Sequence, residues 1–294
     1  MDPLSLDDEL LTLYNIFHQG QYEKAIEYDI NSIKEDNKIA SHVLKLRAKI
    51  ALGKFDEVFD EVQTATETEL VAIRALTEIM RGNQTEALRE IESLEAVKGA
   101  TLVIVGTVLQ IAGKTDEALA LLETHEGDLE AVALIVQIRL QQNRTDLALE
   151  EVSAAKKWAQ DNLLVNLAES WVGLRIGGEK YQQAYYVFEE LAQSPSTSSS
   201  QSLVAQAISE IHLGRLDEAE AALQQVLTKD KDNILAIVNS IVLNTIFGKD
   251  ASQLAHQLEV IAPDHIFLQD IKEKDELFDK AALKYSAKVV AAAP

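Results

Sequence analysis

The residues of this 294-residue chain that could do chemistry include one glycine-lysine-threonine sequence. Gly106 and Gly113-Lys-Thr115 together resemble a phosphate-binding P-loop. That loop has four residues between its glycines, so that backbone N–H groups surround the phosphates. Six mostly apolar residues intervene here. We therefore interpret Gly113-Lys-Thr115 as a turn and expect no nucleotide site.

Histidines and carboxylates are present, but their spacing does not indicate a catalytic or metal site. None of the six histidines has another histidine three or four residues away, as a helical metal pair requires. Cysteine is absent, which excludes disulfides and thiolate chemistry. The 48 Asp and Glu residues are typical of solvated helix faces, and no dyad stands out among them. We predict a protein that is not an enzyme and has no cofactor.

The charge balance restricts the kinds of partner. The chain has 27 Lys and Arg residues against 48 Asp and Glu residues, a net charge of −21. A field of this sign repels nucleic acid and anionic lipid headgroups, so we expect no nucleic-acid binding and no direct membrane docking. The first residues are acidic, and the longest apolar run, near residues 102–109, is too short to span a bilayer. We therefore expect a cytoplasmic protein.

A recurring phrase of glycine, a polar stretch and alanine reveals how the chain is organised. Successive copies begin 29–36 residues apart, close to the 34-residue tetratricopeptide period. The clear copies are residues 20–25, 82–87, 113–118 and 214–219, and the looser ones are 53–58, 143–148, 178–184 and 248–253. No proline occurs between Pro3 and Pro195, as expected for helices. This spacing indicates stacked helical pairs.

Each copy of the phrase can be understood as a junction between two helices. The glycine can adopt the left-handed conformation that ends the first helix. The alanine lies where the second helix approaches the first, and small residues seven positions before the glycine (Ala75, Gly106 and Ala207) match it. Residues 101–109 are rich in β-branched side chains, which favour strands. Because they are in phase with the repeat, we predict a helix there.

The predicted fold is all-α, a tetratricopeptide-like right-handed superhelical solenoid of about eight helical pairs. We assign residues 1–262 to the solenoid, 263–288 to a C-terminal capping helix through Phe267, Ile271, Phe278, Leu283 and Tyr285, and 289–294 to a tail. A serine-rich loop at 194–202 interrupts the solenoid after Pro195. We interpret this loop as a solvated connector, and a phosphorylated or partner-contacting loop is the alternative.

The first helices of such an array line its concave face, and counting back from Gly214 and Gly248 gives their inward positions. These positions are all aliphatic and are Val204, Ile208, Ile211, Val238, Val242 and Ile246. A groove for a short charged peptide would carry Lys, Arg and Asn there instead. We predict that these residues bind apolar surface of a partner. The alternative is a shifted register, in which they belong to the protein's own core.

Residues 171–190 (WVGLRIGGEKYQQAYYVFEE) carry a more specific signal. The Gly-Gly-Glu-Lys turn and the following Gln-Ala-Tyr-Tyr-Val-Phe resemble the epsilon subunit family of coatomer, the COPI vesicle coat. Weaker agreements follow in order along nearly the whole chain, at 8–10 (DEL), 136–140 (VQIRL), 146–148 (DLA), 214–220 (GRLDEAE), 239–243 (NSIVL), 278–279 (FD) and 284–285 (KY). The serine tract at 194–202 departs from the family pattern.

The resemblance implies a non-enzymatic structural subunit that binds the C-terminal region of the coatomer alpha subunit within the solenoid. It also implies association with the other subunits of the coatomer complex and a peripheral location on Golgi membranes and COPI vesicles. The implied role is in Golgi-to-ER and intra-Golgi transport. Contact with membranes would be indirect, through the coat. The alternative is a free-standing cytosolic tetratricopeptide adaptor or co-chaperone that binds a peptide. An enzyme would need a clustered polar pocket.

Overall fold

The structure is a computed structural model that describes residues 8–30, 33–95 and 97–285. Within these ranges all regular elements are helical: seventeen α-helices and one 3₁₀ turn, Glu35–Asn37. The first nine helices are α1 (Asp8–His18), α2 (Tyr22–Glu27), α3 (Lys38–Ala51), α4 (Phe55–Val62), α5 (Thr68–Met80), α6 (Gln84–Glu92), α7 (Ala100–Ile111), α8 (Thr115–Leu122) and α9 (Leu129–Gln141). The other eight are α10 (Thr145–Ala159), α11 (Leu163–Ile176), α12 (Glu179–Gln193), α13 (Ser200–Leu213), α14 (Leu216–Lys229), α15 (Ile234–Phe247), α16 (Ser252–Ile261) and α17 (Ile266–Tyr285).

The eight predicted junctions each separate two consecutive helices. Their glycines have φ between 61° and 87°, and Asn143, which replaces glycine at one junction, has φ 58°. In the Gly113 junction the N–H of Lys114 donates to the carbonyl of Leu109 at 2.9 Å, which satisfies the end of α7. All eight junction residues thus have positive φ, but at Gly178 ψ is −133°, outside the left-handed helical region, so the predicted left-handed helix end is not found there. Gly113-Lys-Thr115 is a helix junction.

Close helix approach explains the small residues of the repeat. The alanine of each clear copy is completely buried, namely Ala25, Ala87, Ala118 and Ala219. Gly106 lies in the middle of α7, and a Cβ added there would be 2.8 Å from a methyl carbon of Leu122 on α8. Residues 101–109 are helical, as predicted from the phase of the repeat, although their β-branched side chains favour a strand. Packing between α7 and its neighbours thus outweighs strand propensity.

The chain divides into two compact units between Leu213 and Gly214. Unit 1 contains α1 to α13. The buried apolar residues of its first core cluster come from α3 to α9. A second cluster contains residues of α1, α3, α9, α10 and α11, so that α1 contacts helices more than a hundred residues later in the chain. Unit 1 therefore curves until its first helix meets its eleventh.

The serine-rich loop is shorter than predicted. Helix α12 ends at Gln193, before Pro195, but α13 begins at Ser200, so only 194–199 lie outside helices. The backbone N–H of Ser199 donates to Oγ of Ser202 at 2.9 Å, and that of Ser202 donates to Oγ of Ser199 at 3.1 Å. This reciprocal cap, which resembles a capping box, starts α13.

The same segment is attached to the beginning of unit 1. Nε2 of the buried Gln21 donates to the carbonyl oxygen of Ser196 at 2.6 Å, across 175 residues of sequence. A Cβ on Gly20 would be 2.8 Å from Oε1 of Gln201 and 3.2 Å from Oγ of Ser199. The loop is therefore in contact with the α1–α2 turn, rather than fully solvated as predicted.

Unit 2 contains α14 to α17. Its core is built around Ile237, Ile241 and Leu258, against which Phe267 and Leu268 of α17 pack. The other apolar residues predicted for the last helix are exposed, with exposed fractions of 41% to 86%, and are Ile271, Phe278, Leu283 and Tyr285. The predicted tail, 289–294, lies outside the described residues. No described helix is both long enough and apolar enough to cross a membrane.

Candidate partner-binding site

The interior of unit 1 is formed around α1. Leu10, Leu13, Tyr14 and Phe17 follow the i, i+3, i+4, i+7 spacing of one helix face. The first three side chains are at most 2% exposed. Their cluster includes residues of α9, α10 and α11, among them Leu129. The apolar face of α1 is thus fixed in the interior and leaves Phe17, at its end, at the edge of two cavities.

The larger cavity, cavity 1, has a volume of ≈ 380 Å³. Its lining is almost entirely apolar and comprises Phe17, Arg47, Ile50, Ala51, Gly53, Phe55, Leu76, Met80, Ile104, Thr107 and Ile111. Met80 and Ile111, both large apolar side chains, are 42% and 49% exposed. Cavity 1 therefore offers an accessible apolar surface within the size range of ligand pockets.

The smaller cavity, cavity 2, has a volume of ≈ 190 Å³ and is more polar. Its lining comprises Phe17, His18, Arg47, Val103, Thr107, Glu130, Ala133, Leu134, Gln137, Leu164 and Trp171. Phe17, Arg47 and Thr107 are common to both cavities. These three residues form the wall that the two cavities share.

A buried ion cluster, consisting of His18, Arg47 and Glu130, joins α1, α3 and α9 beside this wall. Nη1 of Arg47 is 2.7 Å from Oε2 of Glu130, and Nε2 of His18 is 3.3 Å from Oε1 of Glu130. The Arg47 guanidinium also lies over the Phe17 ring, 4.7 Å from its centroid. The Glu130 side chain is only 4% exposed. The cluster therefore connects three helices that are distant in sequence.

The electrostatics of the cluster favour an ionised Glu130. Burial alone would raise the pKa of its carboxyl, but the charges of Arg47 and His18 outweigh burial and hold this pKa well below its usual range. The neighbouring Tyr14 is affected in the opposite direction. Burial, and then the negative charges of Glu130 and Asp128, raise the pKa of its hydroxyl. Tyr14 is thus neutral, and Glu130 is the anion that balances Arg47.

These residues do not form a recognisable catalytic or metal site. Glu130 is paired with both His18 and Arg47. Among the cavity 2 residues, the only hydroxyl is that of Thr107, which donates to the carbonyl of Val103 at 2.8 Å. Among the described residues, no group of three or more potential ligands could hold a metal ion.

The three groove residues predicted on α13 differ in exposure. Val204 is 3% exposed and belongs to the interior of unit 1 in the isolated chain. Ile208 and Ile211 are half-buried. Only the last two could present apolar surface to a partner without rearrangement of α13.

The three groove residues predicted on α15 belong to unit 2. Val238 is half-buried and packs against the Ile237, Ile241 and Leu258 core. Val242 is also half-buried, whereas Ile246 is 52% exposed. Of these three residues, Ile246 is therefore the most exposed.

The interior cavities do not coincide with the residues predicted from the sequence. The predicted positions lie on the helices before Gly214 and Gly248, whereas the cavities are lined by residues of α1, α3, α4, α5, α7, α9 and α11. Met80, Ile111 and Ile246 all occur two residues before a junction glycine, but the other copies have His18, Ala51, Gln141, Ile176 and His212 at that position, so the repeat alone does not identify the cavity.

Comparison with known proteins gives a consistent result. The family described as coatomer epsilon subunit matches residues 6–286. A rice protein named coatomer subunit epsilon-1 is 30% identical over 280 residues, which cover 93% of this chain and 97% of the relative. A fission yeast (Schizosaccharomyces pombe) protein named probable coatomer subunit epsilon is 31% identical over 279 residues, which cover 94% of this chain and 93% of the relative.

A solved structure supports the fold separately. The crystal structure of the APC/C hetero-tetramer Cut9-Hcn1 superposes with a TM-score of 0.60 and 15% identity, covering 92% of this chain and 55% of that chain. At this identity the likeness concerns the fold alone. Together with the helix junctions, it confirms the predicted all-α, tetratricopeptide-like architecture.

Proposed function

This chain belongs to the coatomer epsilon-subunit family, and on that premise we propose that it binds the C-terminal region of the coatomer alpha subunit. The family makes it a structural subunit of the COPI coat rather than an enzyme. The observation that carries the proposal is the match to the family over residues 6–286, nearly the whole chain. In this role the protein stabilises the alpha subunit and supports Golgi-to-ER and intra-Golgi transport, located peripherally on Golgi membranes and COPI vesicles.

We place the main contact in the interior of unit 1. Cavity 1 supports this placement, because its lining is apolar and includes the exposed Met80 and Ile111. Interfaces of permanent complexes are more hydrophobic than those of transient ones. Each apolar side chain that becomes fully buried contributes about 1.5–3 kcal/mol before the costs of association. A permanent coat subunit would therefore leave such a surface uncovered only when isolated.

Parts of the predicted groove contribute further contacts in this proposal. On α13 they are Ile208 and Ile211, and on α15 they are Val242 and Ile246. Val204 and Val238 act indirectly, since the structure packs them inside their own units. The net charge of −21 supports indirect attachment to membranes, because the chain alone would be repelled by anionic lipids.

Co-expression with the C-terminal region of the alpha subunit tests the proposal. The mass of the product is measured by light scattering during gel filtration, first at low salt and then at high salt. A one-to-one complex that survives high salt is the expected result, because burial of apolar surface is not screened by salt. Two separate peaks would contradict the proposal and leave a free-standing adaptor as the better account.

A further inference from the structure

The segment 194–199 between α12 and α13, called the strap below, closes the curve of unit 1. Nε2 of the buried Gln21 donates to the carbonyl oxygen of Ser196 at 2.6 Å, and Gly20 lies against Ser199 and Gln201. These contacts join the α1–α2 turn to a segment 175 residues later in the chain. The strap therefore links the first two helices of unit 1 to its last two.

The strap is held to the rest of unit 1 less firmly than α1 is. Among the described residues, all of its other hydrogen bonds lie within residues 190–203. The strap residues are exposed or half-buried, whereas Leu10 and Leu13 of α1 are completely buried. One hydrogen bond changes an equilibrium constant by a factor of roughly two to ten. The strap is therefore the part of this closure that opens most easily.

The turn that the strap contacts also holds the end of α1. The N–H of Gln21 donates to the carbonyl of Ile16 at 3.1 Å, and the N–H of Gly20 donates to the carbonyl of Phe17 at 3.0 Å. Phe17 belongs to the wall that the two cavities share. When the strap releases Gln21, the turn and the end of α1 become free to move together. Opening of the strap therefore changes access to both cavities.

We propose that the strap is a gate for the interior of unit 1, which opens to admit the partner segment beside Phe17 and closes again once the segment is bound. This assignment rests on the proposed function and adds the route by which the partner enters. Because the strap is closed before and after binding, its opening affects the barrier and not the difference between the two end states. Association and dissociation rates therefore change together, while Kd stays nearly constant.

A disulfide across the contact tests the gate, and the natural chain contains no cysteine that would interfere. A Cβ on Gly20 would be 3.2 Å from Oγ of Ser199. In a disulfide, Cβ of one residue lies about 3 Å from Sγ of the other. Gly20→Cys/Ser199→Cys should therefore form the bond on oxidation, with the end of the Gln201 side chain moving aside. The reduced form of the same variant is the control, because it has the same strain at the positive φ of residue 20.

The ligand is the purified C-terminal region of the alpha subunit, and both rates are measured by surface plasmon resonance. We expect the oxidised variant to associate at least tenfold more slowly than the reduced one. A complex that is formed first and oxidised afterwards should dissociate at least tenfold more slowly.

A second variant acts in the opposite direction and does not depend on a disulfide. Gln21→Leu removes the hydrogen bond to Ser196 and should raise both rates roughly two- to tenfold, with little change in Kd. Gln63→Leu is the matched control, because Gln63 also follows a helix of unit 1 and donates to a backbone carbonyl, that of Asp60, only three residues away. This control should bind at the wild-type rates.

The outcomes distinguish the gate from the proposed function. If the wild type does not bind the alpha-subunit region, the proposed function is overturned and the gate with it. If the wild type binds and the oxidised and reduced forms associate at the same rate, the proposed function stands and the gate is overturned. A higher Kd for Gln21→Leu at an unchanged association rate would show a static contact and also overturn the gate. Introduced thiols that do not form a disulfide would contradict the closure itself.

Discussion

Oε2 of Glu130 on α9 lies 2.7 Å from Nη1 of Arg47 on α3, although 83 residues separate the two in sequence. Both side chains are largely buried, at 4% and 14% exposed. The pair therefore fixes the distance between α3 and α9, which both contribute residues to the lining of cavity 2. Its effect on stability can be measured without the partner.

Replacing only one member of this pair should be strongly destabilising. Glu130→Gln leaves the Arg47 charge buried and unbalanced, which costs about 3–5 kcal/mol of unfolding free energy. Arg47→Met/Glu130→Gln should recover part of this loss, with a coupling of about 1–3 kcal/mol between the two sites. Urea unfolding followed by tryptophan fluorescence measures this directly, because the chain's two tryptophans, Trp158 and Trp171, both lie in unit 1.

The half-exposed pair of Lys49 and Glu61 provides the control for that experiment. Its side chains are 22% and 37% exposed, so Lys49→Met/Glu61→Gln should change the unfolding free energy by about 1 kcal/mol or less. If Glu130→Gln lowers the unfolding free energy by no more than this control does, the buried ion pair does not stabilise unit 1.

Acid should weaken unit 1 through the same carboxylate. The pKa of Glu130 is lower in the folded protein than its ordinary value of 4.5. Folding therefore favours the ionised form, and this contribution is fully present above about pH 4.5 and is lost as the pH falls towards the lower folded pKa. The unfolding free energies of wild type and Glu130→Gln, measured from about pH 7 to about pH 3, should converge below about pH 4.5. Parallel curves would contradict a depressed pKa.

Two glycines of the repeat should respond to alanine for different reasons. At Gly53, φ is 74° and an added Cβ meets nothing within 4 Å, so Gly53→Ala costs only the left-handed backbone, about 1–2 kcal/mol. At Gly106 the backbone is helical, and the cost comes from the contact with buried Leu122, about 1–3 kcal/mol of overpacking offset by about 1 kcal/mol of helix propensity. Urea unfolding of both variants gives the two costs.

A second substitution distinguishes the two causes. Leu122→Ala should partly rescue Gly106→Ala, because it removes the methyl groups that the new Cβ would meet. It should not rescue Gly53→Ala, whose strain is in its own backbone. If Leu122→Ala changes the unfolding free energy of Gly106→Ala and of Gly53→Ala by the same amount, steric contact with Leu122 is not the reason for glycine at position 106.

The local features of the fold could be predicted from the sequence, because each depends on a few adjacent residues. The junction at Gly113 and the helix at 101–109 follow from repeat phase and glycine conformation. The end of α12 follows from Pro195. The start of α13 at Ser200 was missed, because serine was read only as a loop residue and not as a helix cap.

The candidate site could not be predicted in the same way, because it depends on contacts between distant repeats. Nothing local in residues 8–18 indicates that Phe17 and His18 meet Arg47 and Glu130. Likewise, positions counted back from Gly214 and Gly248 identify one face of a helix, but burial on that face depends on what the next helix covers. Val204 and Ile246 were both predicted to face the groove, yet they are 3% and 52% exposed.

The exposed end of α15 gives the sharpest test of the predicted groove. Ile246→Asp should weaken binding to the C-terminal region of the alpha subunit by about tenfold or more, since it replaces apolar contact surface of about 1.5–3 kcal/mol with a charge. The thermal unfolding of the free protein should hardly change, because Ile246 is half exposed. Val238→Asp is a poor choice for this purpose, since Val238 packs against the core of unit 2 and its substitution would unfold that unit.

Val260 on α16 is the matched control for Ile246, because it is an aliphatic residue of the same unit with a 68% exposed side chain and lies outside the predicted groove. Val260→Asp should leave both binding and circular dichroism unchanged. The interpretation of α15 as a contact surface requires a difference between the two variants. If Ile246→Asp and Val260→Asp bind the alpha-subunit region with the same Kd as the wild type, α15 does not face the partner, and the contact is confined to unit 1.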